Sequence, residues 1–419
     1  MTGRGDKDRL LSEQEIRDAV TKGLAEARVG GKRVLVIIPD TTRTAPVPLL
    51  FRAVCEGAGA FSKQLDFLVA SGTHAPLSDV DYLKHVGVTP AEKDSHYRNV
   101  RLFNHCWDNP ENLTTVGTIP SSEISALTDG LLNEDIPVRL NRLILDYDLL
   151  LVVGPVFPHE VIGFSGGNKY FFPGIAGPEI VHATHWLGAL ITNVKVNGVK
   201  DTPVRAVVNR AASMIQVEKR CFAFVAVHEG LKGIFFGTPE DAWASAADLS
   251  ASVHIHIAER SYKSVLGAAP AMYDEIWTAG KVMYKLESVV EDGGELIIYA
   301  PHISEVSVTH GQNIERIGYH VRDYFLRQWD RFKDVPRAVL AHSTHVRGTG
   351  AYEDGVEKPR IRVTLATGIS EARCRRINLG YRDPASIRLE EWKDREDEGV
   401  LFVPNAGETL YKLQVSSGK

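Results

Sequence analysis

The chain has 419 residues, 44% of them hydrophobic and 24% charged, with a formal net charge of −5 and four scattered cysteines (Cys55, Cys106, Cys221 and Cys374). This composition predicts a folded protein of more than one domain without a disulfide framework, because a domain commonly holds about 100–200 residues. A weakly acidic chain excludes a general attraction to nucleic acid or to an anionic membrane. The N-terminus lacks the apolar core of a signal peptide, and no apolar run approaches the roughly 20 residues that span a bilayer, so we expect a cytoplasmic protein without a membrane partner.

Apolar runs alternate with amphipathic stretches along the first part of the chain, which is typical of an α/β protein with largely parallel sheets. "RVLVIIPD" predicts a strand that ends at Pro39-Asp40, and "APVPLLFRAVCEGAG" predicts a helix. "LDFLVASGTHAP" predicts a second strand, followed by a helix that "SDVD" caps. Further strands are predicted in "LILDYDLLLVVGPVFPHE", "RCFAFVAVHE" and "SVHIHIAE".

The same alternation starts again near Ala269. "DEIWTAGKVMYKLESVV" and "NIERIGYHVRDYFLRQW" predict helices, whereas "GGELIIYAPH", "AVLAHSTHV" and "IRVTLATGI" predict strands. We therefore predict two α/β domains: an N-terminal domain, 1–265, and a smaller C-terminal domain, 266–398, with 399–419 returning to the first. The active site is expected in the cleft between them.

Three polar clusters follow predicted strands of the first domain. They are Asp40-Thr41-Thr42-Arg43, Gly72-Thr73-His74, and His159 with the glycine-rich loop after it. Functional groups in open α/β sheets collect at the carboxyl ends of strands, so the clusters are expected to converge. This expected convergence is the main reason, from residues alone, to predict an enzyme.

Each cluster also has a purely structural interpretation. Arg43 could bind a carboxylate or phosphate bidentately, or "PDTTRTAP" could be a helix-capping turn with a surface arginine. A single histidine is more often structural, but His74 and His159 at two strand ends could form an acid/base pair.

The segment "HEVIGFSGGNKYFFPGIAGPEIVHATHW" combines glycines, a lysine and three histidines. "GFSGGNK" does not fit the Walker pattern, although its glycines would let the backbone approach a ligand and Lys169 could neutralise a charge or act as a nucleophile. "HATH" places His182 and His185 on one face of a predicted helix, a weak metal signal with no carboxylate or cysteine nearby to complete a zinc site. A metal here would need further ligands from a cofactor.

Four motifs together resemble the lactate racemase family, whose members carry a nickel-pincer nucleotide, and the resemblance covers essentially the whole chain. The motifs are "DTTRTAP", "SGTHAP", "HEVIGFSGGNKYFFPGIAGPEIVHATH" and "VPNAGETL", in that order. The cofactor that the resemblance implies is a pyridinium-3-thioamide-5-thiocarboxylic acid mononucleotide that binds Ni(II) through sulfur, carbon and sulfur. Square-planar nickel suits such a ligand set.

The resemblance also assigns roles to individual residues. Lys169 matches the lysine bonded covalently to the cofactor, and His185 matches the protein ligand of nickel. His74 and His159 match the acid/base pair, while Arg43 and Lys281 match contacts to the substrate. The remaining residues expected to hold the cofactor are Asp40, Thr42, Ser165, Gly166 and Gly167.

The match weakens in the second domain. The family's glutamine three residues before Lys281 is Thr278 in this chain, and the asparagine before the nickel ligand is Thr184. The candidates for the substrate wall are His342, His345, Arg347 and Tyr352, which are more polar than lactate requires. A sugar acid or a dicarboxylate fits them better.

These observations predict a racemase or epimerase acting at C2 of a 2-hydroxy acid, by reversible hydride transfer to the cofactor through a 2-keto acid. Cofactor-maturation enzymes are expected partners, and the chain could form a homodimer. The alternative is a protein that binds or delivers the cofactor without turnover; it would need Lys169 and His185 but not both His74 and His159. A hydrolase with a histidine-bound metal would need more ligands, and an NAD-type dehydrogenase would need a GxGxxG after the first strand.

Overall fold

The computed structural model describes residues 2–414, and the end of the predicted return segment, 415–419, lies outside the described residues. The strands in chain order are β1 (Thr2–Gly5), β2 (Arg33–Pro39), β3 (Gln64–Ala70), β4 (Leu102–Asn104), β5 (Leu113–Ile119), β6 (Ile136–Asn141), β7 (Leu149–Pro155), β8 (Pro158–His159), β9 (Gly163–Phe164), β10 (Glu218–Val227), β11 (Gly230–Gly237), β12 (Ile255–Ala258), β13 (Tyr262–Ala268), β14 (Val290–Ala300), β15 (Gly350–Glu353), β16 (Val356–Pro359), β17 (Arg362–Thr367), β18 (Gly380–Tyr381), β19 (Val400–Val403) and β20 (Leu410–Leu413).

Helices alternate with these strands. They are α1 (Glu13–Glu26), α2 (Val47–Ala58), α3 (Asp79–Val86), α4 (Pro90–Ser95), α5 (Ser121–Leu127), α6 (Pro178–Ile191), α7 (Asn193–Val196), α8 (Pro203–Ala212), α9 (Pro239–His254), α10 (Ile276–Leu286), α11 (Gly311–Ile317), α12 (Arg322–Arg327), α13 (Trp329–Phe332), α14 (Arg337–Arg347) and α15 (Glu371–Arg376). Short 3₁₀ turns span Pro110–Asn112, Arg142–Asp146, Gly167–Tyr170, Glu287–Val289, Pro384–Ser386, Leu389–Trp392 and Glu396–Glu398.

The described chain forms two compact units. The first contains residues 2–157, Phe164–Thr184 and Pro203–Val253, and the second contains Pro158–Gly163, His185–Thr202 and the chain from His254 onward.

The larger sheet of the first unit has the strand order β1-β11-β10-β7-β2-β3-β4. The run from β10 through β7, β2 and β3 to β4 is parallel, whereas β11 is antiparallel to both of its neighbours. The predicted α/β class with largely parallel sheets is therefore confirmed. Strand β7 begins at Leu149, later than the apolar run that predicted it, because Arg142–Asp146 form a 3₁₀ turn.

The core of the first unit lies between the sheet and helices α1 and α2. Every residue of β7 is buried, as are Val34–Pro39 of β2. Helix α1 packs its buried face, which includes Val20 and Leu24, into the same cluster. Each fully buried aliphatic side chain of this kind contributes about 1.5–3 kcal/mol, so the central strands hold the chain segments that follow them in fixed positions.

The second unit contains a parallel sheet with the order β18-β17-β14-β13-β19. Strand β19 pairs with β13, and β20 pairs with β12. The segment 400–413 thus joins strands that begin at residues 255 and 262. The predicted domain boundaries themselves stay a prediction.

Two secondary-structure predictions in the second half were wrong. "AVLAHSTHV" is not a strand but most of helix α14, in which every residue from Ala338 to Val346 is buried. A helix buried on all sides has no polar face, so its apolar pattern cannot be distinguished from that of a buried strand. The predicted long helix in "NIERIGYHVRDYFLRQW" is broken into α11, α12 and α13. Gly318, at φ +72°, ends the first of them in a conformation that favours glycine.

No helix among the described residues has the length and the apolar character that a bilayer crossing requires.

Candidate functional site

The ends of two neighbouring parallel strands bring Asp40 and His74 together. Pro39 of β2 is paired with Ala70 of β3, so the residues that follow these strands leave the sheet side by side. His74 Nδ1 lies 2.6 Å from Asp40 Oδ2. The other carboxylate oxygen of Asp40 accepts hydrogen bonds from the Thr42 amide, at 3.1 Å, and the Thr42 hydroxyl, at 2.7 Å. The carboxylate therefore fixes both the turn and the imidazole.

This pairing sets the tautomer of His74. An ionised carboxylate only accepts hydrogen bonds, so Nδ1 of the neutral ring carries the proton and Nε2 presents a lone pair. The side chain of His74 is 31% exposed, compared with 12% for Asp40. The arrangement is that of an oriented base whose open nitrogen can take a proton.

Arg43 belongs to the same region of the first unit. The Asp40 and Arg43 charges both act on the phenol of Tyr170, whose pKa is raised well above its usual value by burial and, to a lesser degree, by Asp40. The Tyr170 ring packs directly against Gly154. Only glycine leaves room for it there, because an added Cβ would lie 2.1 Å from the phenol. The loop that carries Lys169 is thus packed beside the strand-end cluster of Asp40, Thr42 and Arg43.

The glycine-rich loop is shaped by its own packing. A Cβ at Gly166 would lie 2.6 Å from Val156 Cγ2, and a Cβ at Gly167 would lie 2.8 Å from Trp243 Cβ. Both glycines also have positive φ, +82° and +58°. The Ser165 hydroxyl accepts a hydrogen bond from the Phe157 amide at 2.9 Å and donates to the Pro155 carbonyl at 3.3 Å. The packing and hydrogen bonds of the loop therefore explain why Ser165, Gly166 and Gly167 occupy these positions, and the sequence pattern did not indicate these contacts.

Arg205 and Trp243 hold this loop from within the first unit. The Arg205 guanidinium donates to the carbonyls of Phe164 and Gly166, while the Trp243 indole donates to the Ser165 carbonyl at 2.9 Å. The guanidinium carbon also lies 4.1 Å from the Trp243 ring centroid. Burial lowers the pKa of Arg205 to about 9. Neither residue is predicted from the sequence, because nothing in the segments around Arg205 and Trp243 indicates the loop that they bind.

Lys169 differs from its neighbours in exposure. It is partly exposed, whereas every other residue in the range 161–170 is buried. It lies in the 3₁₀ turn Gly167–Tyr170, and its carbonyl accepts a hydrogen bond from the Gly174 amide. A rigid loop therefore presents a single amine at its surface.

His159 lies in the second unit, in a tight turn with Glu160 and Val161. The Val161 amide donates to His159 Nδ1 at 3.1 Å, and Glu160 Oε2 lies 3.4 Å from the same nitrogen. The side chains of His159 and Glu160 are only 5% and 12% exposed. The histidine is among the residues predicted from the sequence, whereas the carboxylate that follows it directly is not.

Helix α6 carries the histidine pair of "HATH". Both His182 and His185 are partly exposed, whereas Ala183 and Thr184 between them are buried. The His182 ring packs edge-on against Trp107, with 6.2 Å between ring centroids. The Thr184 hydroxyl bonds back to the Ile180 carbonyl of its own helix at 2.7 Å. The packing of His182 supports a structural role for it.

A cluster of aromatic and histidine side chains occupies the second unit, between α10 and α14. Trp277 stacks on His342, with 4.0 Å between ring centroids, and lies 4.3 Å from the His310 ring. His342 Nδ1 is 2.8 Å from the Tyr284 hydroxyl, and Nε2 is 3.3 Å from the Tyr319 hydroxyl. Burial holds the pKa of His342 well below its usual value, and the nearby His310, His345 and His185 lower it further.

The other predicted residues of the second unit divide into two groups. Lys281 is buried, with Nζ 4.7 Å from the Tyr273 ring centroid. The Thr278 hydroxyl bonds to the Glu275 carbonyl and helps to begin α10. Arg347 instead donates to the Asn378 carbonyl, and Tyr352 packs edge-on against Tyr324. Neither of these two contacts involves His342 or His345, with which Arg347 and Tyr352 were grouped as substrate-wall candidates.

The described residues contain no group of three or more histidine, cysteine, aspartate or glutamate side chains that could hold a metal ion.

Comparisons with known proteins place these residues in a family. A family model described as the lactate racemase N-terminal domain matches residues 9–197, the range that holds Asp40, His74, His159, Lys169 and His185. The lactate racemase of Thermoanaerobacterium thermosaccharolyticum is 29% identical over 169 residues, which are 39% of this chain and 35% of that protein. The lactate racemase of Lactiplantibacillus plantarum is 26% identical over 185 residues, 42% of this chain and 39% of that protein. The matched region thus spans well under half the length of each curated relative.

Two solved structures resemble the chain over nearly its whole length. A Thermotoga maritima protein is 34% identical, with a TM-score of 0.90 over 98% of this chain and all of that one. The lactate racemase apoprotein of T. thermosaccharolyticum is 20% identical, with a TM-score of 0.69 over 99% of this chain and 94% of that one, and it shows the same fold. Residues 9–197 of the chain therefore belong to the lactate racemase family.

Proposed function

We propose that this protein is a racemase or epimerase acting at C2 of a 2-hydroxy acid. The observation that carries the proposal is the Asp40–His74 pair, in which a carboxylate 2.6 Å from Nδ1 leaves Nε2 as an oriented proton acceptor. Both curated relatives are named lactate racemases. A reaction that inverts a hydroxyl-bearing carbon needs a group that removes and returns the hydroxyl proton.

The cofactor proposed for this chain is the nickel-pincer nucleotide. When bound, it would supply a carbon that accepts and returns the substrate's C2 hydride. Two features of the chain fit such a group: Lys169 is partly exposed on an otherwise buried loop, and His185 is partly exposed on α6. We assign Lys169 as the covalent tether and His185 as the protein ligand of nickel. The loop of Ser165, Gly166 and Gly167 would hold the tether in place.

The chain's own residues would then bind the substrate and move its protons. Arg43, which lies in the same turn as Asp40 and Thr42, would bind the substrate carboxylate, and Lys281 would also bind the substrate. His74 would take the hydroxyl proton on Nε2 for one enantiomer, and His159 would serve the other. Losing a positioned acid/base group costs about 10²–10⁴-fold in rate, so each single variant should be severely impaired in both directions.

The alternative is a protein that binds or delivers the cofactor without turnover. Such a protein would need Lys169 and His185, but it would have no use for a histidine held as a base. The Asp40–His74 pair therefore favours the enzyme.

The test begins with protein matured by the cofactor-building enzymes and loaded with nickel. It is incubated with a panel of 2-hydroxy acids, including lactate, dicarboxylates and sugar acids, and the products are resolved by chiral chromatography. With deuterium at substrate C2, we expect the label to remain at C2 of the product, because hydride that passes through a cofactor does not meet solvent. Wash-out of the label would instead indicate a carbanion mechanism and would overturn the proposal.

The tether is tested separately by intact-mass spectrometry. Lys169→Ala should lose the covalent adduct and keep its fold. Lys200→Ala is the matched control, because Lys200 is also partly exposed but lies outside the loop. An adduct that persists on Lys169→Ala would contradict the assignment. Protein that carries the adduct and nickel but converts no substrate on the panel would support the delivery role.

A further inference from the structure

The turn that holds His159 leaves the neutral ring unsuited to proton transfer. The Val161 amide donates to Nδ1 at 3.1 Å, so Nδ1 is an acceptor and the proton of the neutral imidazole lies on Nε2. A ring in this tautomer cannot accept a proton at Nε2, and losing the one it holds would form an imidazolate. His159 therefore differs from His74, whose Nδ1 faces a carboxylate and whose Nε2 is open.

Glu160 supplies a carboxylate that can accept a hydrogen bond from Nδ1 of His159. Its Oε2 lies 3.4 Å from His159 Nδ1, so two acceptors face each other when the ring is neutral. A proton on Nδ1 converts this repulsion into a charge-assisted hydrogen bond. The pair is largely withdrawn from water, at 5% and 12% side-chain exposure, which strengthens the attraction relative to a surface pair.

The surroundings of Glu160 contain other titratable groups of the second unit. The Glu160 charge helps to raise the pKa of Tyr284 well above its usual value, after burial. Burial lowers the pKa of His345 to about 4, against an opposing effect of Glu160, so His345 is neutral at pH 7. Lys285 donates from α10 to the carbonyl of Pro158, the residue before His159. His345 and Tyr284 are thus uncharged neighbours of Glu160 at neutral pH, while the lysine bonds to the backbone of the turn.

We propose that Glu160 is a positioning residue that makes His159 competent as an acid and base. In the competent state, Nδ1–H donates to Glu160 instead of Nδ1 accepting from the Val161 amide. The imidazolium then gives its Nε2 proton to the substrate oxygen and becomes the Nδ1–H tautomer with a lone pair on Nε2. In the reverse direction, that lone pair takes the hydroxyl proton. The inference rests on the proposed acid/base role of His159.

Nuclear magnetic resonance of the full chain, with ¹⁵N-labelled histidine and without cofactor, tests the effect of Glu160 on the protonation of His159 independently of catalysis. Long-range ¹H–¹⁵N spectra report which ring nitrogen carries the proton, and His159→Gln assigns the signal. At high pH, His159 should show the Nε2–H tautomer. In Glu160→Gln its titration should move to lower pH, with about a tenfold loss of proton affinity. Glu229→Gln, which changes an exposed carboxylate of the first unit, should leave it unchanged.

The kinetic arm uses cofactor-loaded enzyme. Glu160→Gln should lower kcat with little change in KM and move the limb of the pH profile that reports His159, while Glu160→Asp should restore part of the rate. An unmoved His159 titration in Glu160→Gln, or an unmoved pH profile, would each overturn the proposal. If Glu160→Gln fails to fold, Glu160→Asp carries the same test, because moving the carboxylate away from Nδ1 should also shift the His159 titration to lower pH, by a smaller amount. Absence of racemase turnover in the wild type would instead count against the proposed function.

Discussion

The guanidinium of Arg205 stacks 4.1 Å from the ring centroid of Trp243, and both side chains donate hydrogen bonds to the loop that ends in Lys169. The loop carbonyls at Phe164, Ser165 and Gly166 are therefore satisfied by two side chains from helices α8 and α9. Each donor is buried. The stability of the loop thus depends on residues distant from it in the sequence.

Arg205→Ala should destabilise the protein by about 2–4 kcal/mol, because it removes the side-chain donor of the Phe164 and Gly166 carbonyls, the second of which keeps a hydrogen bond from the Lys169 amide, and opens a cavity beside Trp243. Chemical denaturation measures the loss. Arg210→Ala is the matched control on the same helix: its ion pair with Glu123 is about one-third exposed, so the expected cost is about 0–1 kcal/mol. If Lys169 is the tether, Arg205→Ala should also slow formation of the covalent adduct. Equal destabilisation by the two variants would contradict the role of Arg205 in the loop.

Asp40→Asn should impair catalysis without a large loss of stability. The amide oxygen can still accept the Thr42 hydrogen bonds, but an amide N–H facing His74 would place the ring proton on Nε2 and remove the base. We expect about a 10²–10⁴-fold decrease in kcat, with KM changed little. Steady-state kinetics with matched thermal melts separate the two effects. A variant with wild-type kcat would show that His74 does not act through this pair.

Nickel binding should distinguish the two histidines of α6. His185→Ala should lose the metal, whereas His182→Ala should keep it, because the His182 ring packs against Trp107 within the first unit. Elemental analysis of cofactor-loaded protein measures the difference. Loss of nickel from His182→Ala with retention by His185→Ala would reverse the assignment.

Lowering the pH should destabilise the folded protein, because His345 is buried and resists protonation in the folded state. Burial lowers its pKa to about 4 in the folded protein, whereas an unfolded chain titrates near 6.5, so the unfolded state binds more protons between these values. The contribution of His345 to the free energy of unfolding is therefore fully present above about pH 6.5 and falls by about 3 kcal/mol toward pH 4. His345→Gln should reduce the pH dependence seen in urea denaturation. His228→Gln, at an exposed position, should leave the dependence as it is.

The sequence predicted which strands end in functional groups better than it predicted how those groups pair. The apolar runs before Asp40 and His74 indicated β2 and β3 directly, and the parallel order followed from the α/β alternation. The 2.6 Å contact between the two residues depends on strand register, which pairs Pro39 with Ala70, and no local pattern encodes that register.

Contacts between residues distant in the sequence explain why the other features of the candidate site were not predicted. The glycines of "SGGNK" suggested a close approach to a ligand, but Trp243 and Val156 already account for the missing Cβ atoms. Helix α14 was predicted as a strand because its neighbours bury it on every side, and this error hid the stacking of His342 on Trp277. In each case the determining contact joins residues far apart in the chain.

Strand β1 has a consequence for how the protein can be handled. Thr2–Gly5 pairs antiparallel with β11 and covers the backbone of that strand. Gly3 lies so close to Phe235 that an added Cβ would be 2.6 Å from the phenyl ring. Removing these four residues would leave β11 as an open sheet edge with phenylalanines at positions 235 and 236, and such an edge recruits strands from other molecules. Protein that lacks these four residues should therefore precipitate or self-associate even though every residue of the candidate site is intact.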